Sequence, residues 1–316
     1  MTVVDPPLRK PSFITWLAHQ PYVLLSLMAL FWAANIVLGR YVAGHVPPFT
    51  LTFLRWAGTF LVVAPFAWPS LQRDWPTMRR HIPLLLALAL TGFALNNALS
   101  YWGLQHTQAL NALLIQSSGP LFVALWALML FGVRLSWMQA IGILVSLLGV
   151  LVIVLRGNLA ALSDIQVNSG DISFAGALFV FGLYSALMSK RPKINPLSLI
   201  AFTTGAGAVM LLPLVGWEVS AGNLLILDTL TIATVVFVVI FPSTLAYIFF
   251  NRGIELIGPN RTAPFFHLVP VFGSVMAILL LGEKPELFHL VGYVLVLAGI
   301  FTASRRGSAG KRPAAP

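Results

Sequence analysis

The chain has 316 residues, 58% of them hydrophobic and 9% charged, with a formal net charge of +10 and no cysteine. A soluble protein carries about 25% charged residues, so this composition belongs in lipid; the positive charge forms no basic face, which excludes nucleic acid and points to a membrane surface. The lack of cysteine excludes a disulfide framework, a thiolate metal site and a cysteine nucleophile.

Ten apolar runs follow one another, each close to the ~20 residues that a bilayer-spanning helix needs. They cover 21–42, 49–68, 82–102, 109–131, 137–155, 172–189, 196–217, 229–250, 260–282 and 286–303. The first is too long for the apolar core of a cleavable signal and reads as a span. Most connections are short and marked by Pro, Gly or charge. The longest divides the chain into an N-terminal segment 1–20, a five-helix unit 21–155, a loop 156–171, a second five-helix unit 172–303 and a basic tail 304–316.

The two units are versions of one another. An ungapped shift of 150 superposes Gly103 on Gly253, Pro120 on Pro270, Phe122 on Phe272, Gly132 on Gly282, Arg134 on Lys284, Gly142 on Gly292 and Gly149 on Gly299. Glycine and proline set backbone geometry, so it is the geometry that repeats. Five helices is an odd number, and the second unit must enter the bilayer upside down, as in inverted-repeat transporters. The expected fold class is all-α integral membrane, with ten transmembrane helices as two inverted five-helix repeats. Loop charge supports the count: fifteen Lys and Arg fall on the side of the N-terminus, Arg9, Lys10, Arg134, Arg261, Arg305, Arg306, Lys311 and Arg312 among them, against Arg40, Arg156 and Lys284 on the other. Both termini are therefore expected in the cytoplasm.

All nine acidic residues read as termini, loops or helix ends, Asp171, Glu218, Asp228 and Glu283 among them. The absence of a carboxylate at mid-span removes paired-carboxylate hydrolysis, a carboxylate metal cage and the usual proton relay. No metal and no cofactor is expected. Arg55 lies about two turns inside the second span, roughly 9 Å from its end, and reads either as snorkelling or as a charge at the outer mouth of a pathway. Uncharged polar and aromatic groups do lie mid-span: Trp32, Asn35, Asn96, Asn97, Tyr101, Trp102, Gln116, Ser117, Tyr184, Ser185, Tyr247, Asn251 and His267. Polar groups in lipid must face protein or a water-filled cavity, so these mark candidate lining of a substrate pathway. The fifth and tenth spans are aliphatic with glycine stripes, suited to close packing inside the molecule or across a dimer. Pro120 and Pro270, at equivalent repeat positions, are candidate hinges.

The pattern Trp32-Ala-Ala-Asn35, then Arg40, Pro47-Pro48 and Arg55, resembles the opening of an EamA domain of the drug/metabolite transporter superfamily. Gly282-Glu283-Lys284-Pro285 resembles the turn into that family's fifth helix, whereas Gly132-Val133-Arg134 lacks the acid. The likeness spans about residues 20–303 and is greatest to YddG-type exporters of aromatic amino acids. It implies ten helices in two inverted repeats, with a central pathway lined by helices one to four and six to nine.

The leading expectation is a transporter, not an enzyme: a bacterial inner-membrane exporter of amino acids and related small metabolites, working by alternating access and facilitated or weakly proton-linked. Its partners would be a small-molecule substrate and membrane lipid, with no nucleic acid, as a monomer or weak homodimer. The alternative is a multidrug exporter of lipophilic cations with proton antiport. A sugar-phosphate carrier would want a cluster of buried cations, and Arg55 stands alone.

Overall fold

The computed structural model describes residues 16–132, 137–155, 168–257 and 262–304. Arg9, Lys10, Arg134, Arg156, Arg261, the basic tail from Arg305 and most of the loop 156–171 lie outside them.

Ten helical runs are present among the described residues. α1 is Pro21–Tyr41 and α2 is Pro48–Met78. α3 is built from Ile82–Ala89, a π-helical stretch Leu90–Leu95, and Asn96–His106. α4 is Ala109–Gln116 and Gly119–Phe131, bent by 44° between them. α5 is Trp137–Val154, α6 is Ser169–Met188 and α7 is Pro196–Ser220. α8 repeats the plan of α3, with Thr229–Val238, a π-helical stretch Val239–Leu245, and Ala246–Ile257. α9 opens with a 3-10 turn, Ala263–His267, and continues as Leu268–Leu281. α10 is Leu287–Ser304.

Sequence chemistry places the ends. Pro21, Pro48 and Pro196 each stand in the first turn of a helix, where the missing N–H costs nothing. Asn168, Asn195 and Asp228 cap α6, α7 and α8 with their side chains. Gly132 and Gly282 close α4 and α9 at φ +60° and +67°, a left-handed conformation that other residues avoid. These two glycines occupy the same position of the repeat.

Five runs are long and apolar enough to cross a membrane by length and composition alone, and the longest is Pro48–His106 at 59 residues. A straight helix of that length would reach about 88 Å, nearly three bilayer cores. It is two spans: Arg55 in α2 hydrogen-bonds Asn97 and Tyr101 in α3, so the chain reverses at the 3-10 turn Arg79–His81. The bent α4 and the shorter apolar helices α5, α9 and α10 complete the ten.

Packing follows the repeat. α3 lies on α6 as α8 lies on α1, and α4 on α6 as α9 on α1; α2 pairs with α7, and α5 with α10. Each partnership has its mirror image or is its own, as a two-fold relation between inverted units requires. α2 and α7 also cap one another. Glu218, near the end of α7, accepts from the backbone N–H of Phe49 and Thr50 at 2.8 and 2.7 Å, and from the Thr50 hydroxyl at 2.7 Å. Asp74, late in α2, accepts from Asn195 N–H and the Ser198 hydroxyl, both at 2.8 Å.

Two readings need correction, both of helix ends. α2 continues ten residues past the expected end at 68, through Pro65, Pro69 and Pro76. The spans end later than expected at His106 in α3 and Ile257 in α8. The helix-end carboxylates are not all at the surface: Asp171 is 0% and Glu218 2% exposed, because each is used to satisfy donors. The glycine stripes pack on one another: an added Cβ on Gly149 would lie 2.7 Å from the Gly292 carbonyl oxygen, and one on Gly299 2.5 Å from that of Gly142.

Candidate functional site

Arg55 anchors the centre of the bundle. It sits in the third turn of α2, 5% exposed, and does not snorkel to an interface. Its Nε donates to Ser243 Oγ at 2.7 Å. Nη1 lies within hydrogen-bond reach of Tyr101 OH at 3.1 Å, Asn97 Oδ1 at 3.2 Å and Asn35 Oδ1 at 3.3 Å. The Tyr101 hydroxyl in turn donates to Asn35 Oδ1 at 2.6 Å. The guanidinium carbon stands 4.5 Å from the centre of the fully buried Trp56 ring. A charged side chain at mid-membrane costs about 3 kcal/mol; here neutral oxygens from three helices, α1, α3 and α8, offset it, and none of the ion pairs among the described residues involves Arg55.

The π-helical stretches make these partners available. A π turn leaves backbone carbonyls without their usual i+4 donors. In α3, Asn97 Nδ2 donates to the carbonyls of Gly92 and Phe93 at 3.2 and 3.1 Å, which fixes its amide and turns Oδ1 toward Arg55. In α8, Pro242 has no N–H to give; its own carbonyl accepts from Trp32 Nε1 at 3.1 Å, and Thr244 Oγ1 returns to the Val239 carbonyl at 2.8 Å. Ser243, the next residue, is the acceptor of Arg55 Nε. The consecutive pair Pro242–Ser243 therefore joins two groups: the polar cluster around Arg55, and an aromatic box in which Trp32 meets Tyr247, Phe250 and Phe266 at ring-centre distances of 5.9, 6.0 and 5.4 Å.

Above this centre an open basin of about 1180 Å³ is lined by the ends of α1, α2, α3, α7 and α9. Trp102, its ring tilted against His106 at 4.4 Å, lies on its wall with Arg40, His45, Gln105 and Lys284. Arg55 is not a wall residue; it lies beneath, about 10 Å along α2 from Pro48. Arg40 closes the end of α3 by donating from Nη1 to the carbonyls of Leu104 and Gln105 at 3.1 and 3.3 Å. At the rim, His45 Nε2 lies 2.9 Å from Asp228 Oδ2. The Thr231 N–H, and then the His45 side chain, hold the Asp228 carboxyl below the ordinary aspartate range. Glu283 caps α4 through the N–H groups of Ala109 and Leu110 at 2.7 and 2.8 Å, so the acid of the Gly282-Glu283 turn has a definite task.

The other sequence candidates are dispersed. Tyr184 packs edge-on to Phe93 at 5.9 Å, and Ser185 is half-buried beside it. Gln116 and Ser117 lie at the break in α4, where Ser117 Oγ approaches the Leu113 carbonyl at 3.4 Å. Asn96 accepts from Ser100 Oγ at 3.4 Å. His267 ends the 3-10 turn of α9, half-buried, and Asn251 is exposed. Pro120 follows the bend of α4 and Pro270 follows that 3-10 turn, so each comes just after irregular backbone.

Two features escaped the reading of the sequence. Ser243 was visible only as one mid-span hydroxyl among several. A second buried network was hidden entirely: Asn111 donates from Nδ2 to both oxygens of Asp171 at 3.2 and 3.0 Å, Thr107 donates to Asp171, and His289 Nε2 meets Asn111 Oδ1 at 2.9 Å. Because Glu286 N–H donates to His289 Nδ1, the ring proton resides on Nε2 and the chain of donors runs from His289 to the carboxylate. It ties α4, α6 and α10 together.

The structure resembles a solved crystal structure with a TM-score of 0.58 at 18% identity, over 90% of this chain and 97% of that one, a likeness of fold alone. Among relatives, YyaM of Bacillus subtilis, an uncharacterized transporter, is 27% identical over 90% of this chain and 93% of its own length. A probable terminal-alkyne amino-acid exporter of Streptantibioticus cattleyicolor is 28% identical over 74% of this chain and 77% of its own. A probable amino-acid metabolite efflux pump of Salmonella typhimurium is 27% identical over 88% and 92% respectively. The model of the EamA-like transporter family matches residues 20–155 and again 168–305. With both halves matched, this chain belongs to the EamA-like transporter family and is a multi-pass membrane transporter of small molecules.

Proposed function

We propose that the protein exports amino acids, aromatic and apolar ones first, across a bacterial inner membrane. The observation that carries this reading is the junction at Pro242–Ser243 of a hydrogen-bonding cluster with an aromatic box. An amino acid needs such a pair: polar groups for its zwitterionic end and rings for its side chain. The names of two relatives, an amino-acid exporter and an amino-acid metabolite efflux pump, support the same class. In this reading the units 21–155 and 172–303 work by alternating access with both termini cytoplasmic, and the basin is the outer vestibule. Its substrate path passes Trp102, then Asn35, Asn97, Tyr101 and Arg55, then Trp32 and Tyr247. No carboxylate among the described residues bonds to Arg55 to serve as a proton carrier, which favours facilitated movement down a gradient. The glycine stripes are consumed between α5 and α10, which favours a monomer in lipid over a dimer.

The test is uptake of labelled tryptophan, phenylalanine and threonine into proteoliposomes, with and without an imposed proton gradient. Saturable uptake of the aromatic pair without the gradient is expected. Transport of a lipophilic cation with no amino-acid uptake would overturn the reading.

A further inference from the structure

We propose that Arg55 Nη2 is the anchor for a carboxylate on the transported molecule. This rests on the amino-acid reading and deepens it, by naming the group that the substrate must carry.

A guanidinium offers five N–H donors in a fixed fork. In Arg55 the protein uses Nε on Ser243 and directs three neutral oxygens at Nη1. Nη2 makes no hydrogen bond with any described residue, and it is not among the sealed, unpartnered side-chain atoms found in them. A 95% buried cation thus keeps one nitrogen of its fork open, while the other two are held by α1, α3 and α8. A carboxylate takes the remaining Nη2 donors through short charge-assisted N–H···O bonds, and pre-setting the guanidinium rotamer removes much of the ordering cost of binding.

The fold does not require this charge. Aligning Pro48 with Pro196, each at the start of its helix, puts Thr203 where Arg55 stands in the other unit. Thr203 is as buried and is satisfied by the carbonyls of its own helix, at 2.7 Å from Leu199 and 3.2 Å from Ile200. The scaffold accommodates an uncharged residue at this place, so the cation in the first unit answers to something besides packing. The aromatic box begins one residue from its Ser243 partner, at the Pro242 carbonyl that holds Trp32. A carboxylate on Nη2 would leave the rest of a small molecule beside those rings.

The experiment uses the full chain in proteoliposomes and asks which unlabelled compounds displace labelled phenylalanine. 3-Phenylpropionate keeps the ring and the carboxylate; phenethylamine keeps the ring and the amine. Phenylpropionate is expected to compete within about tenfold of phenylalanine, and phenethylamine on the order of thirtyfold more weakly or worse, the ratio expected for losing a charge-assisted pair. Arg55→Lys, which keeps the charge but not the fork, is expected to flatten that ranking while eluting as a monodisperse protein. Equal competition by the amine and the acid, or an unchanged ranking in Arg55→Lys, would overturn the proposal and leave amino-acid transport intact. If phenylalanine is not transported at all, direct binding of labelled 3-phenylpropionate to the purified protein decides the matter. Binding lost in Arg55→Lys sustains the anchor, and no binding to the unaltered protein refutes it.

Discussion

Replacing Gly149 by alanine is a sharp test of the α5–α10 crossing. A methyl there would meet the Gly292 carbonyl oxygen at 2.7 Å, Val296 N at 2.8 Å and Leu295 Cβ at 2.9 Å. Two of these three are backbone atoms and cannot turn aside as a side-chain end would. Ordinary carbon contacts begin near 3.5 Å, so the helices must part by roughly 0.6–0.8 Å. Overpacking of this kind costs about 1–3 kcal/mol, against a gain of about 1 kcal/mol for alanine over glycine in a helix. Because two of the contacts are rigid backbone, the cost lies in the upper part of that range, about 2–3 kcal/mol, and the net expectation is destabilisation by roughly 1–2 kcal/mol, or a few degrees of melting temperature. Gly299→Ala, 2.5 Å from the Gly142 carbonyl and 2.6 Å from Ser146 N, should behave alike, and the double variant should fall short of additivity because one separation relieves both clashes. Gly176→Ala in α6 is the control, since nothing lies within 4 Å of its added Cβ; it should melt at or slightly above the parent. The assay is thermal unfolding of the detergent-solubilised protein followed by tryptophan fluorescence. Gly149→Ala melting as high as the parent would refute the close crossing and return the glycine stripe to the bilayer or to a dimer face.

The capping carboxylates should rank by what each satisfies. Glu218→Gln puts an NH2 group among three donors and should cost about 2–3 kcal/mol, whereas Glu283→Gln, with two N–H groups at a less buried helix end, should cost about 1 kcal/mol; equal melting temperatures for the two would contradict the ranking. At Asp228 the folded carboxyl titrates below its ordinary value of 3.8, so its contribution is present above that pH and is lost as pH falls through the folded value. Asp228→Ala should therefore melt below the parent at neutral pH, with the gap closing below about pH 4; a gap constant from pH 3 to 7 would show that the carboxylate's charge is irrelevant.

The parts of the fold written in short-range chemistry were legible: proline at helix starts, αL glycines at equivalent turns, apolar length, and a repeat carried by Gly and Pro. The extension of α2 was not, because Pro65, Pro69 and Pro76 lie inside it and proline is a stop signal in a helical pattern. Spaced by four and seven residues, they share one face, and all three are exposed, while Val63, Ala67 and Ser70 form the buried stripe. Each missing N–H falls on the side where no neighbour depends on straight packing, so the helix survives. The Asp171–Asn111–His289 network was illegible for a different reason. Each member lies near a helix end, where the one-dimensional pattern assigns an interface, and only tertiary packing brings three ends together and seals them.

The same distinction separates what could be read of the site from what could not. Trp32 and Asn35 are three apart on one helix and must share a face, and Asn97 and Tyr101 are likewise four apart, so two edges of the polar centre were implicit in the chain. What joins those edges is Arg55, and its placement depends on backbone that departs from the α-helix in both units. Without the π stretch of α3, the Gly92 and Phe93 carbonyls would be spent within the helix and Asn97 would have no second tether. Without Pro242 in α8, the carbonyl that holds Trp32 and the hydroxyl that holds Arg55 Nε would not stand together. The two units thus share one irregularity at one position of the repeat, but the partners of Arg55 beside it are not equivalent: Asn97 follows the π stretch in the first unit, and Ser243 lies within it in the second. Around one arginine the repeat supplies symmetric scaffolding, and the sequence differences between its halves supply an asymmetric set of partners that leaves a single nitrogen of the guanidinium open.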